Sequence, residues 1–126
     1  MNKEGFMQKF IVSTDSTADL YADYVREHDV RLAPLTFTIE KNGVMTEYLD
    51  AFTDYSQYVD FFQQLRDKAM PRTSMLNYES HYSHFKKMAE EGAKDVLHFT
   101  ISTGLASTIN VARQAASDVK KEFPEF

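Results

Sequence analysis

The 126-residue sequence contains no cysteine, which excludes disulfide bonds, thiolate metal sites and thiol chemistry. Long apolar runs are missing too, and no stretch approaches the roughly 18 consecutive apolar residues of a membrane-spanning helix. Residues 1–10 alternate charged and single apolar side chains and contain no continuous apolar core. This pattern predicts no secretory signal and a cytoplasmic location.

Positive charge is scarce as well. The net charge is −5 and the isoelectric point is near 5.3, so nothing predicts binding to nucleic acid or to an anionic membrane surface. The paired lysines Lys86-Lys87 and Lys120-Lys121 lie near glutamates and are typical of solvated helix faces. With 43% hydrophobic and 26% charged residues, the chain can form a folded core of about one domain.

Sequence motifs of the common enzyme classes are absent. The chain has no Gly-x-Ser-x-Gly elbow, no Walker loop and no Gly-x-Gly-x-x-Gly turn. Asp15 follows an apolar run, as phosphoryl acceptors do, although the Asp-x-Asp spacing of phosphatases is missing. An enzyme that acts on a small phosphate or carboxylate through Asp15 is therefore kept as an alternative.

Three histidines are candidates for chemistry. His81 and His84 are spaced i, i+3 on a predicted helix, which can hold a metal. No third ligand is evident, so we predict a surface pair and no metal site. His98 interrupts an apolar strand and is interpreted as a core or strand-face histidine.

The hydrophobic periodicity predicts an α/β fold: a small, mostly parallel sheet flanked by helices, with a β-hairpin turning at Asn42-Gly43. Pro34 should interrupt the second strand, and residues 70–74 are interpreted as a loop. The predicted strands span residues 9–13, 30–39, 44–49 and 95–101. The predicted helices begin near Thr17, Asp54 and Asn77, and a last one follows Thr108.

Hydroxyl side chains cluster where predicted strands and loops run into helices. The clusters are residues 14–17, residues 73–74 and residues 102–108. Parallel sheets bind ligands beyond the carboxyl ends of their strands, and helix N-termini offer free N–H groups to anions. Any one cluster is explained by ordinary helix capping, but three favour a carboxylate or phosphate site. No general base accompanies them, which favours binding over hydrolysis.

These segments together resemble the DegV family. The resemblance rests on five segments that follow one another in the family's order: residues 14–20 (TDSTADL), 33–35 (APL), 48–50 (YLD), 71–74 (PRTS) and 101–108 (ISTGLAST). Each is unspecific alone, whereas the ordered set spans nearly the whole chain.

The resemblance implies a protein that binds a long-chain fatty acid and has no enzymatic activity or cofactor of its own. In the family the acyl tail lies in an apolar tunnel between two domains, and several members present the acid to the ATP-binding subunit of a bacterial fatty acid kinase. By position, the hydroxyls implied to hold or support the carboxylate are Thr73, Ser74, Ser102 and Thr103. Asp15 and Ser16 would form the floor of this site.

Family members are roughly twice as long as this chain. Residues 1–126 are therefore expected to be an incomplete, N-terminal DegV-like domain without the second domain. The face on which that domain would pack could remain apolar and promote self-association. A truncated protein-interaction module is accordingly a further alternative.

Overall fold

The computed structural model describes residues 10–74, 76–102 and 107–126. The strands are β1 (Ile11–Asp15), β2 (Arg31–Ala33), β3 (Thr36–Lys41), β4 (Val44–Leu49), β5 (Met70–Ser74) and β6 (Val96–Phe99). The helices are α1 (Ala22–Glu27), α2 (Tyr55–Arg66), α3 (Tyr78–Glu90) and α4 (Thr108–Glu122). Within the described ranges, no helix is long and apolar enough to cross a membrane.

The first sheet is parallel and has the strand order β2-β1-β6. In the register of this sheet, Ser13 of the central strand β1 pairs with Arg31 on one side and with His98 on the other. Strand β1 is thus flanked on both sides, and its carboxyl end lies beside that of β6. The α/β prediction is confirmed.

The hairpin between β3 and β4 forms where Asn42-Gly43 predicted it. Both turn residues have positive φ angles, 53° for Asn42 and 77° for Gly43, as a two-residue type I′ turn requires. Pro34 separates β2 from β3, because proline cannot donate to a ladder. The predicted interruption at Pro34 is therefore confirmed.

The prediction of a loop at residues 70–74 is wrong. This segment is strand β5, and it pairs antiparallel with β3, so that the hairpin belongs to a second three-stranded sheet of order β4-β3-β5. In the sequence, Pro71 argued against a strand at these residues. In the structure Pro71 lies opposite Ile39 on an edge strand, where a missing N–H is tolerated.

The first helix begins later than predicted. The Asp15 carboxylate accepts hydrogen bonds from the backbone N–H and the hydroxyl of Thr17, and the chain forms a 3₁₀ turn over Ser16–Ala18. Asp19 then adopts a left-handed conformation with φ of 52°, which a continuing helix cannot accommodate. Helix α1 consequently starts at Ala22.

Helices α3 and α4 pack together and cover one face of the parallel sheet. Asn77 caps α3 by accepting a hydrogen bond from the backbone N–H of Ser80 at 2.8 Å, as predicted. Gly92 follows α3 with φ of 94°, the conformation that glycine adopts at helix ends without strain. The core of this layer consists of Phe85, Met88, Ala89, Ala112, Ala115 and Val119.

Strand β6 is not the fully buried strand that its apolar run predicted. Val96 packs against the α3–α4 core, but Leu97 and Phe99 are 47% and 52% exposed. The reason is that alternate side chains of a strand point to opposite faces of the sheet, and Leu97 and Phe99 lie on the face opposite the α3–α4 core. In the part of the chain that the structure describes, the face carrying Leu97 and Phe99 is open to solvent.

Candidate functional site

The two sheets meet at the carboxyl end of β1. The Ser16 hydroxyl accepts a hydrogen bond from the backbone N–H of Leu35 at 2.9 Å, and the Leu35 carbonyl accepts one from the N–H of Asp50 at 2.8 Å. These bonds join the turn after β1 to the linker between β2 and β3 and to the end of β4. The junction is therefore held by one side-chain and one backbone hydrogen bond.

Beside this junction, a cavity of about 570 Å³ opens between the hairpin sheet, α2 and the segment before α1. Its size is within the range of ordinary small-molecule sites, about 300–1,000 Å³. Aromatic rings supply most of its wall: Tyr21, Phe37, Phe52, Tyr55, Tyr58, Phe61 and Phe62. The polar side chains on the wall include Asp19, Asp50, Arg66 and Thr73. The cavity suits an apolar ligand that carries a small polar group.

The polar end of this cavity carries negative charge. Burial raises the pKa of Asp50, a hydrogen bond from Ser16 opposes that rise, and the nearby Asp19 carboxylate adds to it. Burial also raises the pKa of Tyr58, and the charges of Asp50 and Asp19 contribute. Both aspartates would repel a ligand carboxylate, which would therefore lie away from them.

Among the residues implied to hold a carboxylate, Thr73 lines the cavity. Thr73 lies inside β5 opposite Phe37, on the face of the sheet that carries the aromatic rings. Ser74 is opposite Thr36 and, as the next residue of a strand, points to the other face. The structure thus distinguishes two neighbouring hydroxyls that the sequence grouped together.

The second hydroxyl cluster is described only in part. Ser102 follows β6 at an exposed position, at the same sheet edge as Asp15 and Ser16, because β1 and β6 are parallel. Thr103 lies outside the described residues. The structure therefore places Ser102 at the sheet edge beside the junction, whereas Thr73 lines the cavity.

Asp15 and Ser16, the implied floor of the site, are buried. Asp15 caps the 3₁₀ turn through Thr17, and the Ser16 hydroxyl bonds Leu35. Both side chains thus form hydrogen bonds that hold the backbone in place. A buried capping carboxylate is poorly placed to act as a nucleophile, which weighs against the alternative of an enzyme using Asp15.

A histidine cluster that the sequence did not indicate lies on the other side of β1. His81 is fully buried, and its ring centroid is 5.9 Å from that of His98. The ring of His84 is also 5.9 Å from that of His98. The prediction of a surface pair at His81 and His84 is therefore wrong, because α3 turns this face toward the sheet.

Ser13 links two of these rings. Its Oγ lies 2.7 Å from Nε2 of His84 and 2.8 Å from Nδ1 of His98. Burial, with a smaller contribution from the neighbouring histidines, lowers the pKa of His84 and of His98 to about 4 in each case. The prediction that His98 is a core or strand-face histidine is confirmed. No sequence signal joins these residues, since the β1–β6 register and the packing of α3 bring them together.

This Ser–His arrangement does not form a hydrolytic site. Ser13 is fully buried, so no substrate carbonyl can reach its oxygen, and nucleophilic catalysis requires that contact. Among the described residues, no group of three or more histidine, cysteine or acidic side chains could hold a metal ion. The cluster is a structural network in the core.

Comparison with known proteins agrees with this architecture. The sequence model of the DegV family matches residues 9–124. A DegV domain-containing protein of Clostridium perfringens is 29% identical over 94% of this chain, and the match covers 39% of that protein. The chain thus spans about two fifths of the length of that relative.

Two solved structures are similar in fold and sequence. A stearic-acid-binding protein from Eubacterium ventriosum superimposes with a TM-score of 0.69 at 29% identity, over 91% of this chain and 38% of the other. A DegV family protein from Thermus thermophilus, described for its fatty acid binding, gives a TM-score of 0.64 at 29% identity over 88% and 38%.

Proposed function

Since this chain belongs to the DegV family, we propose that it binds a long-chain fatty acid and has no catalytic activity of its own. The acyl chain would lie against the aromatic wall of the cavity beside α2. The carboxylate would be held by hydroxyl groups, with Thr73 as the principal donor and Ser102 and Thr103 completing the set. Ser74 would act only as a support.

The observation that carries this proposal is the position of Thr73. Its side chain is on the aromatic face of the hairpin sheet and contributes to a cavity of about 570 Å³ whose walls are mainly rings. An acyl tail gains free energy by removing apolar surface from water, about 25 cal/mol per Å². A hydroxyl at the wall can donate to a carboxylate without a second buried charge.

The acidic groups around the junction restrict where the carboxylate can lie. Asp19 and Asp50 both line the cavity, so a headgroup close to them would be repelled. We place the carboxylate on the Thr73 side and toward the carboxyl end of β6, where Ser102 lies. Arg66 also lines the cavity and would offset part of the negative charge.

The proposal extends to the whole protein of which such a domain is part. Residues 1–126 would supply the N-terminal α/β domain, and a second domain would complete the tunnel around the acyl chain. The bound acid would be presented to the ATP-binding subunit of a fatty acid kinase. In support, the solved relatives include a protein that binds stearic acid.

Self-association through the open face of β6 is part of the same proposal. Leu97 and Phe99 expose apolar area on this face, and exposed apolar patches mark interaction surfaces. The substitution Phe99→Lys should abolish association of this kind in sedimentation velocity. An unchanged sedimentation coefficient would reject this face as the contact.

The binding experiment is mass spectrometry of an organic extract of the purified chain, with wild type beside Thr73→Val and Ser102→Ala. Thr73→Val keeps the shape of the side chain and removes the donor. Thr38→Val is the matched control, because Thr38 lies on the adjacent strand β3 opposite Arg72, on the face away from the rings. We expect a stoichiometric fatty acid in wild type and control, and a clear loss in both site variants.

Fatty acid retained fully in Thr73→Val would refute the assigned headgroup site. No fatty acid in the wild type would contradict binding by this domain alone. Titration with a fluorescent acyl probe, followed by competition with stearate, then measures affinity directly. Failure of both wild-type measurements would overturn the proposed function for this chain.

A further inference from the structure

The hairpin sheet has two edges, and they differ in chemistry. Its strand order is β4-β3-β5, so within the described residues β4 and β5 each present one unpaired side. Exposed strand edges carry rows of free N–H and C=O groups that can pair with another chain. What each edge can bind depends on which of its backbone groups point outward.

The register of the β3–β4 hairpin determines which backbone groups of β4 point outward. Lys41 and Val44 flank the two-residue turn and face each other, and such a pair exchanges both hydrogen bonds. Bonded pairs alternate along an antiparallel ladder, so Thr46 and Tyr48 also direct their backbone groups to β3. Met45, Glu47 and Leu49 therefore direct theirs away from the sheet.

The β5 edge is protected. By the same alternation, Met70 and Arg72 bond to β3, whereas Pro71 and Thr73 direct their backbone groups outward. Pro71 has no N–H to offer, and an outward proline is a common means of blocking an edge. Arg72 adds a charge to the same strand.

The β4 edge lacks such protection. All six of its residues are exposed, and the apolar side chains Val44, Met45 and Leu49 are 64%, 61% and 57% exposed. The strand contains no proline, and its one charged residue is Glu47. A six-residue edge of this composition can accept a further strand.

We propose that β4 pairs antiparallel with β4 of a second copy of this chain, with Thr46 opposite Thr46 at the centre. The contact would join two hairpin sheets into one six-stranded sheet about a two-fold axis. A two-fold interface uses the same surface patch on both partners. The edge of β4 meets that requirement because its pattern is self-complementary.

Geometry restricts the register. Directly opposite residues of an antiparallel pair lie on the same face. A two-fold axis perpendicular to the sheet must therefore set one residue opposite the same residue of the second copy. Centring on Thr46 sets Met45 opposite Glu47 of the second copy and sets Val44 opposite its Tyr48. Met45 and Glu47 are the residues with outward backbone groups, so the two copies would exchange hydrogen bonds there.

The neighbouring register, centred on Glu47, is disfavoured. It would place the two Glu47 carboxylates directly opposite each other, and like charges in that position are destabilising. The Thr46-centred register instead places each Glu47 beside an uncharged Met45. It also pairs an aromatic with a β-branched side chain, which is a favourable cross-strand combination.

The test is sedimentation equilibrium of the full chain over concentrations up to the order of 1 mM, together with hydrogen exchange of individual amides. We expect a reversible monomer–dimer equilibrium. Protection of the Met45 and Glu47 amides should increase with concentration, while the Thr46 amide, already bonded to β3, should not change. A monomer at every concentration would overturn the proposal.

Three variants test the contact. Glu47→Pro removes an outward N–H and fixes φ at about −65°, and it should give a monomer whose circular dichroism matches the wild type. Met45→Lys places a cation opposite Glu47 of the second copy and should tighten the dimer about two- to tenfold. Phe99→Lys removes the separate contact proposed for the open face of β6 and should leave the β4 contact intact, so Glu47→Pro and Met45→Lys are compared in the Phe99→Lys background.

A dimer that survives Glu47→Pro but is lost in Phe99→Lys would overturn the assignment to β4. A dimer weakened by Met45→Lys would contradict the Thr46-centred register. If Glu47→Pro unfolds the chain, the concentration dependence of the Met45 and Glu47 amides in the wild type decides the question.

Discussion

The hydroxyl oxygen of Ser13 lies 2.8 Å from Nδ1 of His98 on the adjacent strand. In the register of the parallel sheet the two residues are direct partners, and the same oxygen reaches His84 on α3. One buried hydroxyl thereby joins two strands and a helix. The nearby Nε2 atoms of His81 and His98 have no hydrogen-bond partner among the described residues. This cluster therefore favours uncharged imidazoles.

The first prediction concerns pH. Burial lowers the pKa of His84 and of His98 to about 4, below the unfolded value of about 6.5. The unfolded chain thus binds more protons between these values, so stability is fully present above about pH 6.5 and falls as the pH drops toward 4. Between pH 7 and pH 5 the loss should be on the order of 2 kcal/mol per histidine, measured by urea unfolding at these two pH values.

Charged groups around the cluster also shift the pKa values of these histidines. Arg31 and Lys87 add to the lowering of the pKa of His84, while Asp15 acts in the opposite direction on His98. The double variant His84→Gln/His98→Gln should flatten the pH dependence. Replacing the surface histidine His28, which stacks on Tyr24, should not. An unchanged slope in the double variant would contradict the assignment.

A second prediction concerns the aromatic core of the hairpin sheet. Phe37 is 6% exposed, and its ring centroid lies 5.4 Å from that of Tyr48, 5.9 Å from that of Phe52 and 5.2 Å from that of Phe61. Phe37→Ala should lower the free energy of unfolding by about 3–5 kcal/mol. Phe62→Ala, at a ring that is half exposed, should cost less than half as much in the same urea titration.

A third prediction tests the start of α3. The Asn77 side chain accepts from the N–H of Ser80 at 2.8 Å, so Asn77→Ala should cost about 1 kcal/mol. Asn77→Asp retains an acceptor oxygen and adds a favourable charge at the helix N-terminus, and it should therefore match the wild type. Equal stability of the alanine and aspartate variants in thermal unfolding would show that the cap contributes nothing.

The fourth prediction rests on the proposed function. Asp50 lines the cavity close to Asp19, so its charge should oppose a bound carboxylate. Asp50→Asn should strengthen stearate binding about three- to tenfold at pH 8, measured by isothermal titration. Glu125→Gln changes the net charge equally but lies near the C-terminus, away from the cavity-lining residues in the sequence, and it should leave the affinity for stearate unaltered. Weaker binding in Asp50→Asn would place the carboxylate elsewhere.

Local features of the sequence determined much of the secondary structure. Asn42-Gly43 indicated the hairpin because both residues tolerate positive φ angles, and Asn77 indicated a helix start because its side chain can cap the first turn. Pro34 marked an interruption because it lacks a backbone donor. Each of these signals acts within a few residues, so the surrounding fold did not need to be known.

Tertiary structure decided what depends on residues far apart in the chain. The segment 70–74 is a strand because the edge of β3 pairs with it, which overrides the loop signal of Pro71. His81 is buried because α3 packs on the parallel sheet, and Leu97 is exposed because it lies on the face opposite α3 and α4. Hydrophobic periodicity predicts which face of a helix or strand is apolar, but not which other elements pack against it. For this reason the sequence alone indicated the hydroxyl clusters, while only the fold showed that Thr73 lines a cavity and Ser74 does not.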